Sequence, residues 1–159
     1  MTLLRPGSLL LVICALVVAG CSSGPSFRGS VNVTLLDIRP TDTSLAANQA
    51  PLTLRFTNES IAPLGYSKSN HKLYLNGKYA GKIESTRPFG IPPQNSITLE
   101  VTFDVEDAGL IRQLASSGAA QMVSYRLESM LFQTVYEDDH RIKVESEGTV
   151  TLGGPSAQQ

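Results

Sequence analysis

Apolar and polar residues alternate along most of the chain after residue 30, which is the pattern of half-buried β-strands. The first alternating run extends from Val31 to Leu35, the second from Leu52 to Phe56, and the longest from Ile97 to Val105. This period of two predicts a mainly β protein in which each strand turns one side toward a core.

Turn signals separate the runs. The pair Asn76-Gly77 predicts a two-residue hairpin after a strand from Tyr66 to Leu75, because a type I′ turn needs two positive φ angles. Small and polar residues predict a loop from Thr41 to Ala50, and prolines predict a turn region from Arg87 to Pro93. Charged residues predict a turn from Glu137 to His140.

One helix is expected, from Asp107 to Ser117, because its apolar residues share one face. Asp107 is placed to cap this helix, and Gly118 is placed to end it. A strand from Val123 to Phe132 and a last ribbon from Ile142 to Leu152 follow. About seven short strands with one short helix before the last hairpin indicate a two-sheet antiparallel β-sandwich, whose strand order the periodicity does not supply.

The first 20 residues have the features of a secretory leader. Arg5 is the only charged side chain before an apolar run from Leu9 to Ala19, which is shorter than the ~20 residues that span a bilayer. The run ends in Val18-Ala19-Gly20-Cys21, which resembles the lipobox of bacterial lipoproteins. We therefore expect removal of a signal peptide, residues 1–20, and attachment of lipid to Cys21, which would tether the chain to a membrane.

The leader also implies a division of the remaining chain. Residues 21–30 are rich in Ser, Gly and Pro and are expected to form a lipidated flexible tether, residues 31–152 the folded domain, and residues 153–159 a tail. The two residues after the cysteine are serines, Ser22 and Ser23, and neither position has an aspartate. By resemblance to enterobacterial sorting rules, this favours the outer membrane of the cell envelope, facing the periplasm.

Cysteine usage and charge exclude several kinds of chemistry. The chain has two cysteines, Cys14 in the expected leader and Cys21 at the lipidation site, so the folded domain is predicted to have no disulfide and no thiol nucleophile. Without Arg5, the mature chain has 12 basic and 14 acidic residues. Such a balance argues against a nucleic-acid partner, because neutralising phosphates needs a clustered excess of Lys and Arg.

The order of several short motifs resembles the late-embryogenesis-abundant (LEA) type 2 family, which carries the water-stress and hypersensitive-response (WHy) domain. The resemblance spans roughly Val31 to Leu152 and depends on Leu52-Thr53-Leu54-Arg55-Phe56-Thr57-Asn58-Glu59-Ser60, Ala62-Pro63-Leu64, Leu73-Tyr74-Leu75-Asn76-Gly77 and Ile91-Pro92-Pro93 before the strand from Ile97 to Val105.

The resemblance implies an immunoglobulin- or fibronectin-like sandwich and a role in water stress, desiccation or defence. It brings no catalytic residue. Family members usually read Asn-Pro-Asn after the second strand, where this chain has Asn58-Glu59-Ser60, so we expect a less rigid turn here.

Apart from the resemblance, the residue types suggest three candidate sites. His71 and His140 could bind zinc with Asp138 or Asp139, but neither histidine has a second ligand at helical or strand spacing. Glu137-Asp138-Asp139 could hold calcium weakly, although it lacks the glycine and terminal glutamate of a calcium loop. The favoured interpretation is that His71 precedes a strand and that His140 and the acidic residues lie in a solvated turn. No metal or cofactor is expected.

The third candidate is an aromatic and cationic surface for sugar or peptide, formed by Arg87-Pro88-Phe89 with Tyr66, Tyr74 and Tyr79. Tyrosines at these spacings more often pack as cross-strand neighbours. Three functions are therefore open. They are a non-catalytic, stress-protective envelope lipoprotein, an adaptor that binds another envelope protein through a sheet edge, and, with least support, a glycan- or lipid-binding protein.

Overall fold

The computed structural model describes residues 30–115, 122–135 and 138–152 of the chain. This part of the chain contains nine strands and two helices. In chain order they are β1 (Val31–Ile38), α1 (Asp42–Ala46), β2 (Gln49–Asn58), β3 (Leu64–Tyr66), β4 (Lys68–Leu75), β5 (Lys78–Ser85), β6 (Phe89–Ile91), β7 (Ser96–Val105), α2 (Ala108–Ala115), β8 (Met122–Val135) and β9 (Asp138–Thr151).

Seven of these strands form one antiparallel sheet in the order β1-β2-β7-β5-β4-β8-β9, and β3 pairs with β6 as a separate short ribbon. The predicted alternation is observed: Leu52, Leu54 and Phe56 of β2 are buried, while Arg55 between them is exposed. The buried sides of the strands share a single apolar core with Leu45 of α1 and with Leu110, Ile111 and Leu114 of α2. The mainly β prediction is therefore confirmed.

The sheet curves until its first and last strands meet. Ile38 at the end of β1 forms a parallel bridge with Leu152, the residue after β9. Two further contacts cross the interior: Leu35 N–H donates to the hydroxyl of Tyr125 at 3.3 Å, and the rings of Phe56 and His71 lie 5.9 Å apart. Since β2 and β4 are not neighbours in the sheet, this ring contact shows that the sheet wraps around its core and is nearly barrel-shaped.

The predicted two sheets are one sheet, and the only trace of a division is a narrow junction between β5 and β7 within the described strands. β5 pairs with β7 at two positions, Gly81 with Val105 and Lys82 with Asp104, whereas the other neighbouring strands pair over longer stretches. Gly81 has φ +149°, and a Cβ atom there would lie 2.1 Å from the backbone oxygen of Asp104. The two parts of the sheet can approach because Gly81 has no side chain. The predicted two separate sheets are joined here, and the immunoglobulin-like label is not confirmed.

The hairpin and the helix before the last two strands agree with the sequence analysis. Asn76 and Gly77 have φ values of 47° and 77°, the two positive angles that the predicted turn requires. α2 covers most of the predicted helix, and Asp107 caps it by accepting a hydrogen bond from Leu110 N–H at 2.8 Å. Gly118, the predicted terminator, lies outside the described residues.

Four local predictions were incomplete or wrong. The loop predicted from Thr41 contains α1, because Thr41 and Ser44 cap the helix reciprocally and Leu45 is buried. The strand predicted from Tyr66 is divided into β3 and β4, and the proline-rich turn region contains β6, which pairs with β3. The charged segment is not a free turn throughout: His140 pairs with Gln133 of β8 within β9.

Candidate functional site

Cys21, the predicted lipidation site, lies outside the described residues, as do the leader, most of the tether and the tail. Lipid attachment therefore stays a prediction. Within residues 30–115, 122–135 and 138–152, no helix is long and apolar enough to cross a membrane.

The prediction that His71 precedes a strand was wrong, because this histidine is a core residue within a strand. It lies on β4 and only 2% of its surface is exposed, and its Nδ1 atom is 2.8 Å from Ser129 Oγ on β8. Nε2 has no hydrogen-bond partner among the described residues. Burial disfavours the charged imidazolium and lowers the pKa of His71 to about 4.

A histidine beside a serine has the composition of a nucleophile and its base, but the surroundings differ from those of a reactive pair. Ser129 is also only 2% exposed, so the hydroxyl cannot reach a substrate in solution. A histidine whose pKa is about 4 is also a weak base at neutral pH. The pair thus satisfies two buried polar groups and links two strands.

The two histidines of the candidate zinc site do not come together. His71 lies in the core, whereas His140 is exposed on β9. Asp138 is exposed at the start of β9, Glu137 lies outside the described residues, and the side chain of Asp139 is likewise not described. No group of three or more metal-ligating side chains exists among the residues that the structure describes.

The aromatic candidates separate into two pairs. Tyr66 and Phe89 of the β3–β6 ribbon have ring centroids 5.3 Å apart, and burial raises the pKa of Tyr66 to about 12. Tyr74 and Tyr79 are cross-strand partners beside the Asn76-Gly77 turn, with centroids 5.5 Å apart. The packing interpretation is confirmed for Tyr74 and Tyr79, and the proposed single surface does not form.

The cation that covers Tyr74 comes from a strand that the sequence did not place beside it. The Arg126 guanidinium lies 4.0 Å from the centre of the Tyr74 ring and also pairs with Glu128 and Glu145. Arg87, the cation of the candidate surface, is exposed in the segment between β5 and β6. Strand order decides this pairing, because Tyr74 is the register partner of Arg126 across β4 and β8.

A shallow groove of about 440 Å³ lies on the outer side of β5, β4, β8 and β9. Its wall includes Lys72, Lys82 and Lys143 together with Glu84 and Glu128. Lys82 is paired with Glu84 at 3.1 Å, and Glu128 is paired with Arg126. The groove thus combines opposite charges on a solvent-facing sheet. His71 and Ser129 also belong to its lining, but each is only 2% exposed.

The most extensive side-chain hydrogen bonding surrounds Asn58 at the end of β2, which is only 1% exposed. Asn58 Nδ2 donates to the backbone oxygens of Ala62 at 2.8 Å, Ile91 at 3.2 Å and Pro92 at 3.1 Å. Asn58 Oδ1 accepts from Ser60 N–H at 2.8 Å and lies 2.7 Å from Ser60 Oγ. One buried amide therefore joins two loops.

The role of Asn58 was not predicted, although a local signal was present. An asparagine whose oxygen accepts the N–H two residues later forms an Asx turn, and Asn58-Glu59-Ser60 allows this arrangement. The sequence does not reveal the partners Ile91 and Pro92, because they belong to a loop more than 30 residues away.

The sequence of this domain matches a known family. The family model described as "Late embryogenesis abundant protein" matches residues 53–158, which is about two thirds of the chain. The chain belongs to the late embryogenesis abundant family. No curated protein sequence matches the chain significantly.

Solved structures resemble the described fold at low sequence identity. The solution structure of an Arabidopsis thaliana protein has a TM-score of 0.54 at 16% identity and covers 77% of this chain and 80% of its own. A LEA protein solved in solution has a TM-score of 0.47 at 15% identity, covering 80% of this chain and 72% of its own. A crystal structure from Archaeoglobus fulgidus has a TM-score of 0.44 at 15% identity, covering 77% and 95%.

The LEA match places the Asn58 turn within the family's own segment. The matched segment begins at Thr53 in β2, so it includes Asn58 and both of the loops that Asn58 joins. β1 and α1 precede the matched segment. The resemblance seen in the sequence started earlier, at Val31. The family is generally non-enzymatic, and the match supplies no catalytic residue to place in the structure.

Proposed function

We propose that this LEA protein is a non-catalytic lipoprotein of the cell envelope that protects the cell during desiccation or osmotic stress. The observation that carries the proposal is the family match over residues 53–158. The leader supports the location, because an apolar run of signal-peptide length ends at Cys21 with two small residues before it. Ser22 and Ser23 favour the outer membrane, with the domain facing the periplasm.

The described side chains support a role without catalysis. Each residue of the His71–Ser129 pair is only 2% exposed, and in the exposed groove Lys82 is paired with Glu84 while Glu128 is paired with Arg126. A protective domain needs a stable fold and an accessible surface, and a reaction centre is not required. The proposed role therefore depends on where the domain is held and on what its surface contacts.

The anchor is tested by the mass of the N-terminal peptide of the protein purified from cell membranes. We expect cleavage before Cys21 and a mass increase equal to a diacylglycerol plus an amide-linked acyl chain. Cys21→Ser should abolish this increase and release the mature domain from the membrane or leave an uncut precursor. Cys14→Ser is the matched control, since this cysteine lies in the discarded leader, and it should behave as wild type. An unmodified Cys21 would contradict the anchor.

Protection is tested by drying or osmotic shock of a deletion strain, its parent, and strains complemented with wild type or Cys21→Ser. We expect lower survival of the deletion strain, restored by the wild-type gene and restored poorly by Cys21→Ser. The purified domain should also preserve the activity of a labile enzyme through drying. Equal survival of all strains together with no protection of the enzyme would refute the protective role.

One observation favours the adaptor as the second candidate function. Odd-numbered residues of β7 exchange hydrogen bonds with β2, as at Val105, whose N–H donates to Asn48 O at 2.8 Å. The N–H and C=O groups of Thr98, Glu100 and Thr102 therefore point away from β2. Within the described ranges no strand pairs with that side of these three residues. A protein that supplies an extended strand could pair there.

Crosslinking in whole cells separates the adaptor from the protective role. A single recurrent partner that is lost in Thr98→Pro would support strand addition, because proline removes the outward N–H without removing a hydrogen bond to β2. Thr98→Val is the matched control and should retain the partner. Diffuse crosslinks that are equal in all three proteins would contradict the adaptor function.

A further inference from the structure

Five exposed apolar residues project from two adjacent loops at one end of the barrel. Ile61, Ala62 and Pro63 follow β2, and Pro92 and Pro93 follow β6. Ile61 is 86% exposed, the highest value among the exposed large hydrophobic side chains of the described chain. We refer to these five residues as the apolar tip. Single exposed hydrophobic residues are common on soluble proteins, but a contiguous apolar projection without charge is a feature of interaction surfaces.

The apolar tip is held in place before any partner binds. Asn58 Nδ2 donates to the oxygens of both Ala62 and Pro92, so one buried side chain joins the two loops. Ser60 reinforces this connection, because its Oγ lies 2.8 Å from Ala62 O and its backbone oxygen accepts from Gln94 N–H at 2.9 Å. A loop that is already ordered loses little conformational entropy when its side chains enter an apolar phase.

The apolar tip lies beside the point at which the N-terminal segment joins the domain. Glu59 N–H donates to Ser30 O at 2.7 Å, so the first described residue is bonded two positions before Ile61. Met122, the other strongly exposed aliphatic side chain at 69%, lies at the opposite end of the barrel. It pairs with Thr151 next to Leu152, which bridges Ile38 at the far end of β1.

The chain outside the structure limits how far the apolar tip can lie from lipid on Cys21. Nine Cα–Cα steps connect Cys21 to Ser30. Even fully extended they span no more than about 32 Å. The barrel end with Ser30 and the tip is thus held within this distance of lipid on Cys21, whereas the end with Met122 can lie farther away by up to the length of the strands.

We infer that the apolar tip docks on the lipid bilayer that holds Cys21, with the Ile61 side chain inserted at the boundary between headgroups and acyl chains. This inference rests on the proposed lipidation. One isoleucine and a few prolines are too small an apolar surface to hold a free protein on a membrane. The tether makes docking an intramolecular event at a high effective concentration, so a weak surface is sufficient.

The composition of the apolar tip selects lipid over the other possible occupants. The tip has none of the aromatic, Met or Arg residues that are enriched at protein–protein interfaces. Docking fixes two points, the lipid and the tip, and therefore orients the domain with α1, α2 and Met122 away from the bilayer.

The test uses tryptophan, which the chain lacks. Ile61→Trp and the matched control Met122→Trp each introduce a single fluorophore at a strongly exposed position. The lipidated proteins are reconstituted into phosphatidylethanolamine–phosphatidylglycerol vesicles, with and without brominated acyl chains. We expect the emission of Ile61→Trp to shift to shorter wavelength and to be quenched by bromine several-fold more than that of Met122→Trp.

A second preparation separates docking from lipidation. The chain from Cys21 onward has one thiol and can be coupled to vesicles that contain a maleimide lipid, whatever happens to Cys21 in the cell. If Cys21 proves unmodified in cells, the anchoring proposal fails, and the coupled protein still tests the apolar tip. The same difference between the two tryptophan variants is expected in this preparation.

Several outcomes would overturn the inference. Equal quenching of the two variants means that the tip does not enter lipid. A shift that appears on concentrating the protein without vesicles assigns the tip to a second copy, and one that appears only in native membranes assigns it to a protein partner. An Ile61→Asp exchange in the lipidated protein offers an independent check. It should leave the fold intact, because residue 61 is exposed, and should increase protease access to the tip loops in vesicles.

Discussion

The Nδ1 atom of His71 on β4 lies 2.8 Å from the Oγ atom of Ser129 on β8, inside a core that is otherwise largely apolar. The ring edge also meets Phe56 on the opposite side of the interior. This arrangement accommodates a neutral imidazole, because a charged ring would lose its hydration without gaining a carboxylate partner. His71 therefore makes the stability of the domain sensitive to acid.

The first prediction concerns this acid sensitivity. The unfolded chain binds a proton on His71 below its ordinary pKa of 6.5, whereas the folded protein does so only near a pKa of about 4. Between these values the unfolded state holds more protons, so the free energy of unfolding falls as the pH is lowered from 6.5 to 4. Linkage gives a contribution of about 3 kcal/mol that is complete above pH 6.5 and lost below pH 4.

Urea unfolding at several pH values measures this contribution. His71→Gln should flatten the dependence between pH 6.5 and 4, while His140→Gln, which removes an exposed histidine, should leave it unchanged. A wild-type curve that is flat over this range would show that His71 becomes protonated equally in both states.

The second prediction concerns the contact between β1 and β8. Leu35 N–H donates to the Tyr125 hydroxyl next to an irregularity in the pairing of β1 with β2, so this hydroxyl satisfies a buried donor. Tyr125→Phe should lower the free energy of unfolding by about 1 to 2 kcal/mol, because the donor loses its partner. Denaturant unfolding measures the change. Tyr74→Phe, on the outer side of the sheet, should cost less, and an equal loss would contradict a specific role for the hydroxyl of Tyr125.

The third prediction concerns the buried amide of Asn58. Asn58→Ala removes donors to three backbone oxygens and an acceptor for Ser60, and we expect a loss of about 2 to 4 kcal/mol in stability. Hydrogen exchange should increase first in the loops around Ala62 and Pro92. Asn32→Ala, an exposed position on β1, is the control and should change stability by less than about 0.5 kcal/mol. Similar losses in both variants would remove Asn58 from its proposed central position.

The fourth prediction concerns the junction between β5 and β7. Gly81→Ala places a Cβ atom on the backbone oxygen of Asp104 and requires φ near +149° of a residue with a side chain. We expect a loss of about 2 to 4 kcal/mol, measured by thermal or urea unfolding. Gly65→Ala is the matched control, because its new methyl group would meet no atom within 4 Å. If Gly81→Ala is as stable as Gly65→Ala, the close approach is not required.

The sequence was sufficient to predict most strands because their signal is local. Alternation locates β1, β2 and β7, and two positive φ angles at Asn76 and Gly77 require the hairpin. Short elements escaped prediction for a physical reason. β3 and β6 have three residues each, too few to show a period of two, and they are stabilised by pairing with each other across the chain. α1 has one turn and depends on its cap.

The same limit applies to the candidate sites. No recognisable motif surrounds His71 in the sequence. Its burial beside Ser129 depends on β4 and β8 being neighbours, and periodicity does not reveal which strands are neighbours. The stacking of Arg126 on Tyr74 depends on the same pairing. The apolar tip could be recognised only from the hydrogen bonds of Asn58, because they join two loops that are distant in sequence. Cys21 is the opposite case, since its assignment comes wholly from the order of residues in the leader.

The meeting of the first and last strands has a consequence for the time at which the domain can fold. Leu35 and Tyr125 are 90 residues apart, and the bridge from Ile38 reaches still further, to Leu152. Contacts between such distant residues form slowly, because a long loop must close before they stabilise the chain. A chain emerging N-terminus first would hold β1 without its final neighbour until its last strand had followed. If the leader directs export as proposed, the barrel would close only after the whole domain had crossed the membrane, and the chain would still be open while it passed through.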